Sequence, residues 1–207
     1  MGTEQEKAAV VSDTIVLRWR VCSGALPLYN RYLRSLAPFD LSAPLLAWVR
    51  SRIEWAIDHL FEKDANGVLV MTINPLEDVT LAFEELREEP VLGLENLLVK
   101  EGLVTGVQLE EEKLEGVVWI EKDGKLYASA SELVTATCTF AKDIMQTLKY
   151  PLHVSPLEEA FIRGMGEPAS VFLISDEFGF VPIKTGQAAE GVIAQKLTEC
   201  FDKLWTK

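Results

Sequence analysis

The sequence predicts an α+β protein in two lobes, and three observations carry that prediction. Strand-like and helix-like segments follow one another in blocks: strand, two helices and paired strands, then strands, two helices, a hairpin and a last helix. An acidic break, Glu84 to Pro90, separates the blocks and sets lobes of residues 1–88 and 89–207. The chain has 207 residues, 48% of them apolar and 9% aromatic, which is enough for a substantial core.

The elements follow in order. Asp13 to Val21, "DTIVLRWRV", is β-branched and partly alternating and reads as a strand, ended by the turn "SGALP". Leu28 to Leu36 spaces Leu28, Tyr32, Leu33 and Leu36 as a helix, with Arg31 and Arg34 on the polar side. After "APFDLSAP", Leu45 to Leu60 places Leu46, Val49, Ile53, Ala56, Ile57 and Leu60 on one stripe of a second helix. Asn66-Gly67 signals a turn, and "VLVMTINP" and "VTLAFEEL" form a hairpin.

Beyond the break, "ENLLVKEGLVTGVQL" and "GVVWIEKDGKLYAS" are strands, the latter turning at Asp123-Gly124. "ELVTATCTFAKDIMQTL" is a helix with Leu133, Ala136, Phe140, Ile144, Met145 and Leu148 near one face. "PLHVSPLEEAFIRGM" holds a strand and a short helix, and "SVFLISDEFGFVPI" is a buried hairpin. Ala188 to Trp205 is a final helix with Val192, Ile193, Leu197, Cys200, Phe201 and Leu204 inward.

Charge and cysteine usage exclude several classes. A net charge of -12, from 32 acidic and 20 basic residues, repels phosphate backbones and anionic lipid, so neither nucleic acid nor membrane is an expected partner. Cys22, Cys138 and Cys200 are an odd, widely spaced set without CxxC spacing, which argues against a disulfide framework and against structural zinc; no metal is expected. The N-terminus has no apolar h-region and no segment reaches membrane-spanning length, so the expected location is the cytoplasm.

The residues alone reveal no reaction. There is no HExxH, GxSxG, Walker loop or GxGxxG. His59 reads as a surface residue near a helix C-terminus, and a Cys–His pairing with His153 or His59 is left open by sequence. The four carboxylates of "LEEEKLEG", Leu109 to Gly116, could resemble a metal or acid–base cluster but read as a solvated hairpin or helix face.

Several phrases in shared order do resemble a family, the class IV aminotransferases or fold-type IV pyridoxal phosphate (PLP) enzymes. That family includes branched-chain and D-amino acid aminotransferases and aminodeoxychorismate lyase. "TIVLRWRVCSGALPLYNRYLRSL" resembles its opening strand, turn and helix, and "GVVWIEKDGKLYAS" its strand before the cofactor loop. "PLHVSPLEEAFIRGMGEPASVFLISDEFGFVPI" resembles its helix, buried strand, turn and "VP" strand, and "EGVIAQKLTECFDKL" its last helix. The resemblance implies a shortened, two-lobed D-amino-acid-aminotransferase-like fold and a homodimer.

The family's functional positions do not follow. Its Schiff-base lysine lies between the lobes in a stretch leading into a helix, whereas here that interval is "LREEPVLGLENLLVKEGLVTG", with Lys100 its lone lysine. The glutamate that pairs with the pyridine nitrogen comes in a Glu-Gly-x-x-Ser-Asn pattern, of which only Glu115-Gly116 survives. The phosphate-binding arginine falls at Ser35, beside Arg34, and the helix N-terminus that cradles the phosphate reads Ala136-Thr137-Cys138-Thr139. The family's threonine in the turn after Ser175 is replaced by Asp176, followed by Glu177. Two carboxylates about 4 Å from a phosphate would each repel it by roughly 4 kcal/mol at an effective dielectric near 20.

The resemblance therefore implies a former pocket at Arg34, Ser35, Thr137, Cys138, Ser175 and Asp176, with no cofactor, in a catalytically inactive relative that binds or assembles. In it Asp176 and Glu177 are expected at the pocket mouth, solvated or paired with Arg31, Arg34 or Lys184. Two alternatives stay open: an active PLP aminotransferase or lyase using Lys100, and an unrelated α+β binding domain.

Overall fold

The computed structural model describes residues 14–74, 78–129, 135–163, 169–185 and 191–206. Its first sheet is a three-stranded antiparallel meander, β1 (Ile15–Val21), β2 (Gly67–Ile73) and β3 (Val79–Glu85). Every second residue of β1, Leu17, Trp19 and Val21, is buried, and α1 (Tyr29–Ser35) and α2 (Ala43–His59) cover that face. Tyr32 stacks on Trp19 with ring centroids 4.7 Å apart, and Val49, Ile53 and Ala56 of α2 complete this core. Ser42 caps α2 through Leu45 N, with Pro44 in the first turn, where its missing N–H costs nothing.

Strands β4 (Leu92–Gly93), β8 (Val117–Lys122), β9 (Lys125–Ser129), β10 (Leu152–Ser155), β11 (Ala169–Ser175) and β12 (Gly179–Lys184) form a mixed sheet, in the order β10-β9-β8-β11-β12-β4. Strands β5 (Leu97–Lys100), β6 (Leu103–Leu109) and β7 (Glu112–Leu114) make a third sheet packed on one of its faces, together with α4 (Glu159–Arg163). Helices α3 (Ala136–Thr147) and α5 (Val192–Trp205) cover the other face. Strand β8 shows why its sequence is apolar without alternation: Val118 and Ile120 enter one core, Val117 and Trp119 the other.

Apart from the short strands β4 and β7, the strands and both hairpins agree with the sequence reading, including the positive-φ turn at Asp123 and Gly124. The first and large sheets are separate, joined in sequence by a stretch without regular secondary structure from Leu86 to Val91.

Three helix faces differ from expectation. Leu46 and the C-cap Leu60 of the α2 stripe are exposed, and the helix buries only Val49, Ile53 and Ala56. On α3 the buried set is Ala136, Thr137, Cys138, Ala141 and Met145, whereas Leu148 is exposed and Phe140 and Ile144 are only half-buried; Leu133 lies outside the described residues. Val192 opens α5 exposed at 62%, because α5 turns Ile193 and Ala194 into the sheet instead. Among the described residues no helix is long and apolar enough to cross a membrane.

Candidate functional site

The β11–β12 turn lies where the first sheet, α1 and the N-terminus of α3 converge. Ser175 and Gly179 pair across the turn, and Gly179 takes φ +78, where a Cβ would sit 2.6 Å from Trp205 Nε1. The intervening residues point into the protein: Asp176 and Glu177 are each 4% exposed. Both were expected to be solvated or paired with Arg31, Arg34 or Lys184, and neither is.

Asp176 instead plugs the N-terminus of α3. Its carboxylate accepts from Thr137 N at 2.8 Å, Thr137 Oγ1 at 2.6 Å and Ala136 N at 3.2 Å. These are amides that a helix leaves without internal partners, and the helix dipole favours negative charge there. Thr135 completes the cap, its Oγ1 accepting from Cys138 N at 3.1 Å. The Asp176 carbonyl is held as well, by Arg20 N at 3.1 Å and the Tyr32 hydroxyl at 3.4 Å. Burial pushes the Asp176 carboxyl above its usual value, opposed by the Thr137 hydroxyl and the two amides.

Because Asp176 holds two of the amides, losing the Thr135 hydroxyl alone should be mild. Thr135→Ala should lower stability by about 1 kcal/mol in urea unfolding. A loss of several times that size would show that Thr135, not Asp176, is the principal cap.

Glu177 is clasped by two arginines. Arg87 donates from Nε at 2.8 Å and Nη2 at 2.6 Å, and Arg18 from Nε at 2.7 Å. The arginines reach outward to Glu112 and Glu84 respectively. Burial alone would raise the Glu177 carboxyl, but the hydrogen bonds from Arg87 and Arg18 outweigh it and leave it below the ordinary range. Ser175 Oγ accepts from Glu177 N at 3.3 Å, tightening the turn. Mostly buried Glu115 stands close by: burial, then the charge of Asp176, push its carboxyl up to about 7.

Of the residues nominated by sequence, Thr137, Cys138, Ser175 and Asp176 gather here, and Arg34 and Ser35 do not. Arg34 is exposed and donates to Asn30 O, and Ser35 donates to Tyr32 O within its own helix. Cys138 is buried with its thiol pushed up to about 11, so it is not a thiolate nucleophile. Lys100 is exposed at the end of β5, in the third sheet. His59 lies exposed on Trp55, and His153 stacks on Tyr127, so neither meets Cys138.

The sequence reading missed Arg18, Arg87 and Tyr32. Arg18 and Arg20 alternate along β1, which marks a charged face turned toward something, and Arg87 is the lone cation of the acidic break.

Beside this cluster, β1, residues 86–89, the β11–β12 turn and α5 enclose a cleft of about 690 Å³. Arg20, the rings of Phe178, Phe180, Phe201 and Trp205, and the carboxylates of Glu89 and Asp202 line it. Among the described residues its lining includes no lysine.

No protein-family model matches the sequence, and no curated protein does. Solved structures do match it in fold. The 4-amino-4-deoxychorismate lyase from Pseudomonas aeruginosa superposes with a TM-score of 0.65 at 14% identity, covering 100% of this chain and 96% of that one. A hypothetical aminotransferase from Mycobacterium tuberculosis in its apo form gives 0.68 at 15% identity, covering 100% and 94%. A putative branched-chain amino acid aminotransferase from Thermotoga maritima gives 0.66 at 14% identity, covering 92% and 85%. The chain thus has the fold of the class IV, fold-type IV aminotransferases across its length.

Proposed function

We propose that this chain is a non-catalytic binding protein built on the class IV aminotransferase fold, in which the protein's own Asp176 carboxylate takes the place of a cofactor phosphate. One observation carries the reading: Asp176 accepts three hydrogen bonds from Ala136 and Thr137, the residues to which the resemblance gives the phosphate cradle. A PLP phosphate brought there would find the donors taken and would face a buried acid instead. These residues do not fit PLP. The amine side supports the same conclusion, since Lys100 is exposed on another sheet and no lysine among the described residues lines the neighbouring cleft.

The test is titration of the purified protein with PLP, followed by visible absorbance and by intact mass after borohydride reduction. The expected result is no Schiff-base absorbance and no specific adduct. A stoichiometric adduct on one lysine, Lys100 above all, would overturn the reading and make the chain a PLP enzyme.

A further inference from the structure

We propose that the outer edge of β3 takes up an extended peptide segment that turns apolar side chains and a carboxylate toward α2. None of the groups that hold Asp176 belongs to this edge, so the proposal goes beyond the function argued above and does not depend on it. Strand β3 ends the first sheet, whose order is β1-β2-β3, and among the described residues no strand pairs with its outer side. Alternate residues of an edge strand turn their N–H and C=O groups outward, which makes the edge a template for another strand. The charges that could guard it are confined to one end, where Glu84 and Glu85 close the strand and Glu84 is tied to Arg18. Val79 to Phe83 carries no charge, no proline and no bulge.

Helix α2 stands over this edge. It packs on β3, and Phe61 just beyond it meets Phe83 with ring centroids 5.4 Å apart. Val49, Ile53 and Ala56 point into the core. Leu46, Arg50 and Glu54 fall on the flank toward α1, where they line a groove with Leu33 and Leu36. Helical spacing puts Trp48, Arg52 and Trp55 on the opposite flank, over the open edge. There the Arg52 guanidinium lies 5.7 Å from the Trp48 ring and 5.6 Å from the Trp55 ring. Both indoles are nearly half exposed, at 48% and 44%, and Phe83 on the strand is 36% exposed.

This ladder of two rings around a cation selects the occupant. Arg52 makes no ion pair among the described residues. Its Nε is buried without a hydrogen-bond partner, and its two Nη atoms reach the surface. A guanidinium held so, in a chain whose net charge is -12, matches a carboxylate on the partner. A strand added to β3 sends every second side chain toward α2. Its apolar residues then cover Phe83 and the two indoles, and its carboxylate meets Arg52. Main-chain bonds along the edge supply affinity, and the alternate side chains supply specificity.

The probe is a blocked peptide, Thr-Val-Thr-Glu-Thr-Val-Thr, as long as β3 and carrying Val, Glu and Val on one side. Titrated into the intact chain, it should change tryptophan fluorescence saturably. It should also move the NMR signals of the β3 amides and of the Trp48 and Trp55 indoles. The same peptide with Lys in place of Glu should bind about tenfold more weakly, and one with its backbone amides N-methylated should not bind. Arg52→Gln, checked for a native melting curve, should remove the preference for Glu, and Arg52→Glu should reverse it, which a mere fold defect would not do. No saturable binding of the Glu peptide, equal binding of the N-methylated one, or a preference that survives Arg52→Gln would overturn the proposal. So would a dimer that protects the β3 amides, which would give the edge to a second copy of the chain. None of these outcomes bears on the PLP titration, so the two readings fail separately.

Discussion

Asp176→Ala should destabilise the protein by roughly 3–5 kcal/mol, and inorganic phosphate should restore part of that loss. The substitution leaves Ala136 N, Thr137 N and the Thr137 hydroxyl without their acceptor, in a position 4% exposed to water. Each orphaned buried donor costs about 1–3 kcal/mol. The vacated space is then an anion site by its own geometry, because helix amides and a hydroxyl converge on it. Phosphate at concentrations well above its dissociation constant should raise the melting temperature of the variant by mass action and leave that of wild type unmoved. Urea unfolding and thermal melts across a phosphate series give both readouts. A variant as stable as wild type would show that Asp176 is not the acceptor that completes α3. Equal phosphate effects on both proteins would show that the cradle is not filled by the side chain.

How much of this was legible in the sequence depends on the range of the interactions. Strands and turns were readable because their signals are local: the alternation in β1, the Asp123-Gly124 turn and the apolar runs around residues 170–183 need no distant partner. Helix α3 was misread because Thr137 is polar by type yet fully buried, its hydroxyl spent on Asp176, so apolar periodicity placed the inner face one step away. The identity of the turn residues was readable and their state was not. Glu177 meets Arg87 at a separation of 90 residues and Arg18 at 159, and only the tertiary fold brings such partners together. Without them, two carboxylates in a turn read as solvated. The same long range hid Glu115, which occurs within an acidic run that otherwise lies in solvent.

Glu115→Gln should stabilise the protein near neutral pH and above, and leave it unchanged in acid. The folded protein holds the Glu115 proton up to about 7, against an ordinary value of 4.5. Below the lower value both folded and unfolded chains are protonated and the shift has no effect. Between the two, the unfolded chain releases its proton while the folded one keeps it, so stability falls as pH rises, and the loss is complete once the folded carboxyl ionises. A shift of that size corresponds to about 3 kcal/mol. Glutamine keeps the neutral shape at every pH, so the variant should gain roughly 2–3 kcal/mol over wild type at about pH 8 and nothing at about pH 4. The Glu177 carboxyl, held low by Arg87 and Arg18, works in the opposite direction, and its contribution is lost only as pH falls through that lowered value. The two effects therefore occupy different pH windows and separate in a stability-versus-pH curve. Part of the Glu115 shift comes from the Asp176 charge, so an Asp176→Asn background should shrink the gain from Glu115→Gln. If Glu115→Gln proves no more stable than wild type at about pH 8, the buried acid cluster is not strained by its own charge, and the packing of Glu115 beside Asp176 has to be explained another way.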